Sequence, residues 1–167
     1  MSKQIPLTQG FLATVDDADF DWLSQWKWRV RKSRKTIYAC RDSKKGELQG
    51  QRRTIDMHLI INGRQLGMQT DHRDGNGLNN TRANLRIATI AQNAQNRRPV
   101  GASLYKGVCW HKREQKWLAR IRINGKFIEL GRFTNEKDAA AAYNTAAKNH
   151  FGEFAYVLRN DAQGGAA

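Results

Sequence analysis

Acidic residues are scarce in this chain, cysteines scarcer, and long apolar runs are missing. Against 29 Lys and Arg stand 15 Asp and Glu, a formal charge of +14 over 167 residues. Such an excess favours a polyanionic partner, because phosphates neutralised by Lys and Arg release counterions and supply most non-specific affinity. An anionic membrane would also attract it. However, no apolar run approaches the roughly 20 residues of a span, and no charged start followed by an apolar core marks a signal peptide. The expectation is no membrane, no secretion and a cytoplasmic protein whose partner is nucleic acid. Cys40 and Cys109 lie far apart without metal-type spacing and read as free thiols in a reducing compartment.

What is present is a polar constellation between Thr70 and Arg98. Asp71 precedes His72, Asn84 follows twelve positions later, and Asn93 nine positions further on. Hydrolysing a phosphodiester needs a base to activate water and a cation to stabilise charge on the phosphate and leaving oxygen. His72 is the natural base. Asp71 offers a hard carboxylate oxygen and Asn93 a neutral amide oxygen, both suited to one Mg²⁺ or Mn²⁺ ion that keeps several waters. Neighbours on a strand point to opposite faces, so Asp71 and His72 act together only at an edge where both faces reach substrate. The stretch Arg73–Leu85, with Asp74-Gly75 and Asn76-Gly77, reads as a polar loop, and Asn84 has the two amide functions needed to tie its backbone together. Thr89 is placed to cap a short helix carrying Asn93 and Asn96 on one face.

Thr70–Arg98 resembles the HNH endonuclease motif of the ββα-metal, or His-Me finger, class, in the variant with Asp as first metal ligand and Asn as last. The resemblance implies a divalent ion held by Asp71 and Asn93, His72 as general base, and Asn84 as the Asn supporting the motif. It gives His58, in MHLII, a structural or phosphate-contacting role. Asn79, Asn80 and Asn96 receive no firm role. Two cysteines cannot build the four-Cys zinc of some nucleases of this class, so no zinc is expected.

Before the motif (about residues 58–98), Ile5–Val15 reads as a hairpin around Gly10. Asp16–Asp21 then head a short Asp-capped helix followed by a strand, with Trp22, Trp26 and Trp28 as core. Thr36–Arg41 and Arg53–Ile60 read as strands joined by a polar loop over residues 42–52. The mixture of Arg, Pro and Gly at Arg97–Ser103 reads as a linker, with the boundary near residue 100. Residues 1–100 hold 18 basic and 9 acidic residues and residues 101–167 hold 11 and 6, so both halves are basic.

In the second half, Tyr105–His111, Trp117–Ile123 and Lys126–Phe133 read as three strands, the last two joined by Asn124-Gly125, a strong hairpin signal. Thr134 or Asn135 caps an Ala-rich helix that Gly152 ends. Period two sends Trp117, Ala119, Ile121 and Ile123 toward the helix and Leu118, Arg120 and Arg122 outward. The order YKGVCWH, KWLARIRINGKF, LGRFTNEKDAAAAYNTAAKNHFG resembles the Apetala-type (ethylene-response-factor) DNA-binding domain over about residues 103–160. That family lays its sheet in the DNA major groove. The resemblance implies Lys106, His111, Arg120 and Arg122 as DNA contacts. Cys109 stands where plant members have Arg, Arg120 where they have Glu, and Phe127 and Glu129 where they have Arg and Trp, so the plant target site does not transfer.

The expected whole is an α+β chain: a nuclease module within residues 1–100, a three-stranded antiparallel sheet packed on one helix over 101–160, and a disordered tail at 161–167. It resembles homing endonucleases of mobile elements or phages, in which a docking module raises the effective concentration of a weakly specific cutter. The expected activity is nicking of one strand of double-stranded DNA by a monomer in a bacterial host. A non-catalytic, sequence-specific DNA-binding regulator is the alternative. RNA is a third possible partner, which a major-groove sheet disfavours.

Overall fold

The first hydrogen-bonded unit of the chain is a hairpin whose two strands match in length, with burial alternating along the second. β1 (Ser2–Pro6) pairs antiparallel with β2 (Leu12–Asp16), Ile5 opposite Ala13, across a 3₁₀ turn at Thr8–Gly10. Ile5, Ala13 and Val15 face inward and are buried. The computed structural model describes residues 1–33, 36–44, 47, 53–99 and 103–156. The expected tail and most of the expected 42–52 loop lie outside these residues. The chain is mixed α and β, and it divides into two units, residues 1–93 and 94–167.

In the first unit, α1 (Asp17–Leu23) follows the hairpin with Asp17 and Asp19 in its first turn, where they favour the helix dipole. Asp16 stands at the N-cap position but does not cap. Its Oδ2 accepts from the backbone N of Arg82 at 2.8 Å, while Arg82 Nε and Nη2 donate to Asp19 at 2.8 Å each. The acidic run thereby anchors a loop more than sixty residues away in sequence. Trp28 is buried and its Nε1 donates to Leu23 O at 2.8 Å, so the tryptophan closes the core and keeps its polar atom paired.

β3 (Arg29–Ser33), β4 (Thr36–Asp42) and β5 (Thr54–Asp56) form an antiparallel sheet with β4 central. The expected strand Arg53–Ile60 is only partly a strand. After Asp56 the chain turns into α2 (Met57–Asn62), which buries Met57, His58 and Ile61. Those positions return to one side at helical spacing, and burying that side outweighs the β preference of the Ile residues. A two-stranded sheet follows, β6 (Gln69–His72) with β7 (Leu85–Ala88), and then α3 (Ile90–Asn96). Thr89 and Gln92 close a reciprocal capping pair at the start of α3, Gln92 N to Thr89 Oγ1 at 3.2 Å and Thr89 N to Gln92 Oε1 at 2.8 Å.

The second unit is an antiparallel sheet of β8 (Val108–His111), β9 (Lys116–Ile123) and β10 (Lys126–Phe133), in the order β10-β9-β8, with α4 (Glu136–Phe151) packed on β9. β8 starts later than the expected Tyr105, because Gly107 is left-handed at φ +73° and a Cβ there would overlap the Tyr143 ring. Asn124 and Gly125 take φ of 49° and 83°, the pair of positive values that a two-residue hairpin turn needs. Asn135 Oδ1 caps α4 from Lys137 N at 2.8 Å. Ala119 and Ile121 are buried against Ala139, Ala140, Tyr143 and Ala147, so small helix residues let α4 approach the sheet closely.

In the first unit, Gly77 presses on β4: a Cβ there would sit 2.6 Å from Tyr38 Cδ1 and overlap the Ile37 carbonyl. Gly77→Ala is expected to cost about 1–3 kcal/mol of stability through overpacking, measured by urea denaturation. An unchanged midpoint would mean that the loop yields freely.

Candidate active site

β6 carries the Asp-His pair, and its alternation decides what each residue meets. The register pairs Gln69 with Ala88, Thr70 with Ile87, Asp71 with Arg86 and His72 with Leu85. Gln69, Asp71 and Arg86 therefore share one face, and Thr70 and His72 the other. On the first face Arg86 Nε and Nη2 donate to Asp71 Oδ2 at 2.8 and 2.7 Å, with both side chains 6% exposed. Asn93, in α3, donates from Nδ2 to Gln69 Oε1 at 2.6 Å. The bond ties the helix amide to a side chain of the strand face that bears Asp71.

On the opposite face His72 is buried among Tyr38 and His58, with ring centroids 5.8 and 5.1 Å away. Its Nε2 lies 3.3 Å from Asn80 Oδ1, an acceptor that suits a ring with its proton on Nε2. Asn80 is fully buried and is itself fixed by its Nδ2 to Leu78 O at 3.3 Å and its backbone N to Thr14 O at 2.7 Å. Burial pushes His72 below the ordinary histidine range, against the opposing pull of the Asn80 bond and the carboxylates of Asp74, Asp71 and Asp56. The neutral ring is the form a general base requires.

The loop between the strands is a closed polar network. Asn84 Oδ1 accepts from Asp74 N at 3.0 Å, while Asn84 Nδ2 donates to Asp74 Oδ1 at 2.9 Å and Asn79 O at 2.8 Å. Asn79 Nδ2 donates to Asp74 Oδ2 at 2.7 Å. His58 sits on α2 with its Nδ1 buried and without a hydrogen-bond partner among the described residues. Sequence reasoning left Asn80 without a role and passed over Gln69, Arg86 and Tyr38. Asn80 lay in a run of interchangeable amides, and the other three become visible only through strand register and packing.

In the second unit, Arg120 and Arg122 project from the exposed face of β9, their guanidinium carbons 4.7 and 5.5 Å from the Phe127 ring centre. Phe127 itself is 62% exposed. Arg132 pairs with Glu129 at 2.8 Å and also with Glu114. His111 is half-buried at the end of β8. Lys106, implied by resemblance to be a contact on the sheet, has its ammonium elsewhere. Its Nζ donates to the carbonyls of Ala94, Gln95 and Arg97 at 3.0, 2.6 and 2.9 Å, satisfying the end of α3, and burial lowers it to about 8.

Fold and site together define a basic, mixed α and β protein with an Asp-His pair on a strand, an amide-rich loop and an Asn-bearing helix. No family model matches the chain. Over 148 residues, 88% of this chain and 74% of the relative, it is 34% identical to an uncharacterized HNH endonuclease of Acanthamoeba polyphaga mimivirus. The chain belongs to the HNH endonuclease family. Over 49 residues, 28% of its length, it is 49% identical to an AP2-like ethylene-responsive transcription factor of Arabidopsis thaliana and covers 10% of that protein. A rice factor of the same description is 47% identical over 49 residues, with 8% of its length covered. Among the described residues no helix is long and apolar enough to cross a membrane.

The buried histidines make stability depend on pH. Burial, with His72 adding to it, pushes His58 from 6.5 down to about 3. Above pH 6.5 His58 is neutral in both folded and unfolded chains; between 6.5 and 3 the unfolded chain takes up a proton that the folded one refuses. Stability should therefore fall across this window, by up to about 1.4 kcal/mol per pH unit for one group. His58→Gln should flatten the slope in urea denaturation at a series of pH values. An unchanged slope would assign the titration to other groups.

Proposed function

We propose that this protein is a metal-dependent endonuclease that hydrolyses phosphodiester bonds of double-stranded DNA, nicking one strand, with the sheet of its second unit docking on the duplex. The observation that carries the reading is the Asn93 to Gln69 hydrogen bond, which brings the helix amide to the β6 face of Asp71. One carboxylate and one amide oxygen suit Mg²⁺ or Mn²⁺, which accept few protein oxygens and complete their shell with water and phosphate.

Asp71 and Asn93 would hold the ion, which would stabilise charge on the scissile phosphate and the leaving oxygen. His72 is the base: with Nε2 donating to Asn80, Nδ1 takes the proton of the attacking water. Asn80 holds the ring in that tautomer, and Asn84 ties down the loop that supplies Asn80. On the second unit, Arg120 and Arg122 are the candidate contacts to base edges and phosphates, and His111 a further one. The non-catalytic regulator reading draws on the identity to plant transcription factors.

A plasmid-nicking assay with and without Mg²⁺ or Mn²⁺ separates the two, since a regulator would not cut. His72→Ala should abolish nicking and leave DNA affinity nearly unchanged. Asp71→Asn and Asn93→Ala should each lower activity and weaken its dependence on the ion, and excess chelator should stop it. Because His72 is held below the ordinary value of 6.5, kcat/KM should stay level as pH drops past 6.5 and decline only at lower pH. Arg120→Ala or Arg122→Ala should weaken duplex binding by about 1–3 kcal/mol if the side chain reads a base. Chelator-resistant cleavage, or wild-type rates in His72→Ala, would defeat the catalytic assignment.

A further inference from the structure

Arg86 occupies the place on Asp71 where a cation would act. Two of its donors converge on one carboxylate oxygen, and the pair is closed off from solvent at 6% exposure on each side. The strand register holds the two residues opposite each other, so the contact is set by the backbone and not by a chance rotamer. We infer that Arg86 is a positioning residue that keeps Asp71 closed until a DNA phosphate draws its guanidinium away, so that divalent ion and DNA bind cooperatively. The inference rests on the proposed assignment of Asp71 as a ligand.

The physical case is an exchange of partners. An ion approaching Asp71 alone meets a fixed positive charge across a poorly screened gap and is repelled. Pulling Arg86 off with nothing in return would break a buried ion pair, which is strongly unfavourable. A DNA phosphate changes both terms. Its oxygens match the guanidinium fork, giving Arg86 an anion to replace the carboxylate. They also supply ligands that a two-oxygen protein site lacks. Asp71 passes to the ion and Arg86 to the phosphate in one exchange, with no charge left unpaired. Linkage then requires that DNA tighten ion binding by the same factor as the ion tightens DNA binding.

The test is Mn²⁺ binding to the full chain, followed by loss of the free-ion electron paramagnetic resonance signal, with and without a short duplex of random sequence. Binding by the duplex alone is subtracted, and intact and nicked duplexes alike present phosphates. The wild type should bind Mn²⁺ about tenfold or more tightly with duplex than without, within the usual range for coupled sites. Arg86→Met should bind Mn²⁺ more tightly than the wild type in the absence of DNA, and the coupling should shrink toward none. If Arg86→Met does not fold, Arg86→Lys, which keeps the charge and loses the fork, carries the comparison and should show reduced coupling. Wild-type coupling in the folded Arg86 variant overturns the inference. Asp71→Asn separates the two layers of argument. If it binds Mn²⁺ like the wild type, the ligand assignment itself fails; if it loses the ion while the Arg86 variant keeps wild-type coupling, only the role of Arg86 fails.

Discussion

Side chains on a strand alternate, and β6 carries its two chemistry-bearing residues side by side. Asp71 and His72 must therefore face opposite ways, and a buried charge and a buried imidazole each need their own surroundings. Asp71 receives a cross-strand arginine, with α3 brought to the same face through Asn93 and Gln69. His72 receives Tyr38 from β4, His58 from α2 and an amide from the loop. A two-stranded ribbon could not supply both sets of neighbours alone. The residues preceding the motif, which look in sequence like an unrelated β-rich region, form part of the wall of the histidine face.

The loop between β6 and β7 is held by the same logic of satisfaction. A buried amide left unpaired costs roughly 1–3 kcal/mol, and this loop brings several amides into the interior. Asn80 and Asn84 are buried, and both amides bond to the loop itself. Asp74 receives Asn76 N, Asn84 and Asn79 on its two oxygens. The loop is then sewn to the first hairpin, where Thr14 N donates to Leu78 O at 2.9 Å, and to α1, where Asp19 takes the Arg82 guanidinium. The position of the Asn80 oxygen beside His72 is thus fixed by bonds reaching back to the start of the chain.

Much of this was legible in the sequence where a single local rule decides. Asn124-Gly125 dictates its turn, Thr89 heads a helix that Gln92 completes, and strict alternation sorts Ala119 and Ile121 from Arg120 and Arg122. Legibility stops where the partner is distant. Arg86 reads as one more base in a basic chain until the register sets it opposite Asp71. Asp16 reads as a helix cap until Arg82 N takes its carboxylate. Arg53–Ile60 reads as a strand because Ile favours strands, while the burial of Met57, His58 and Ile61 follows a helical period that only the neighbouring sheet reveals. Lys106 reads as an exposed cation on a basic sheet, and the carbonyls that claim it belong to the end of a helix before the presumed linker.

The second unit shows how charge is apportioned on an exposed face. Glu129 and Glu114 both pair with Arg132, so the two carboxylates near the sheet surface are answered by one cation. Arg120 and Arg122 lie against the Phe127 ring, Arg122 Nε also donating to Gly125 O at 3.1 Å, and among the described residues neither forms an ion pair with a carboxylate. A guanidinium against an aromatic face is attracted to it while its N–H donors keep their hydrogen-bonding capacity. The result is two cations held by an apolar post rather than by an opposing charge. A surface of this kind can meet an anion without first breaking a salt bridge, and its exposed phenyl ring offers apolar contact that phosphates cannot use but base edges can. On the proposed reading, the departure of Phe127 from the plant pattern therefore alters which edges the sheet can meet, while the net positive charge preserves its attraction to the duplex.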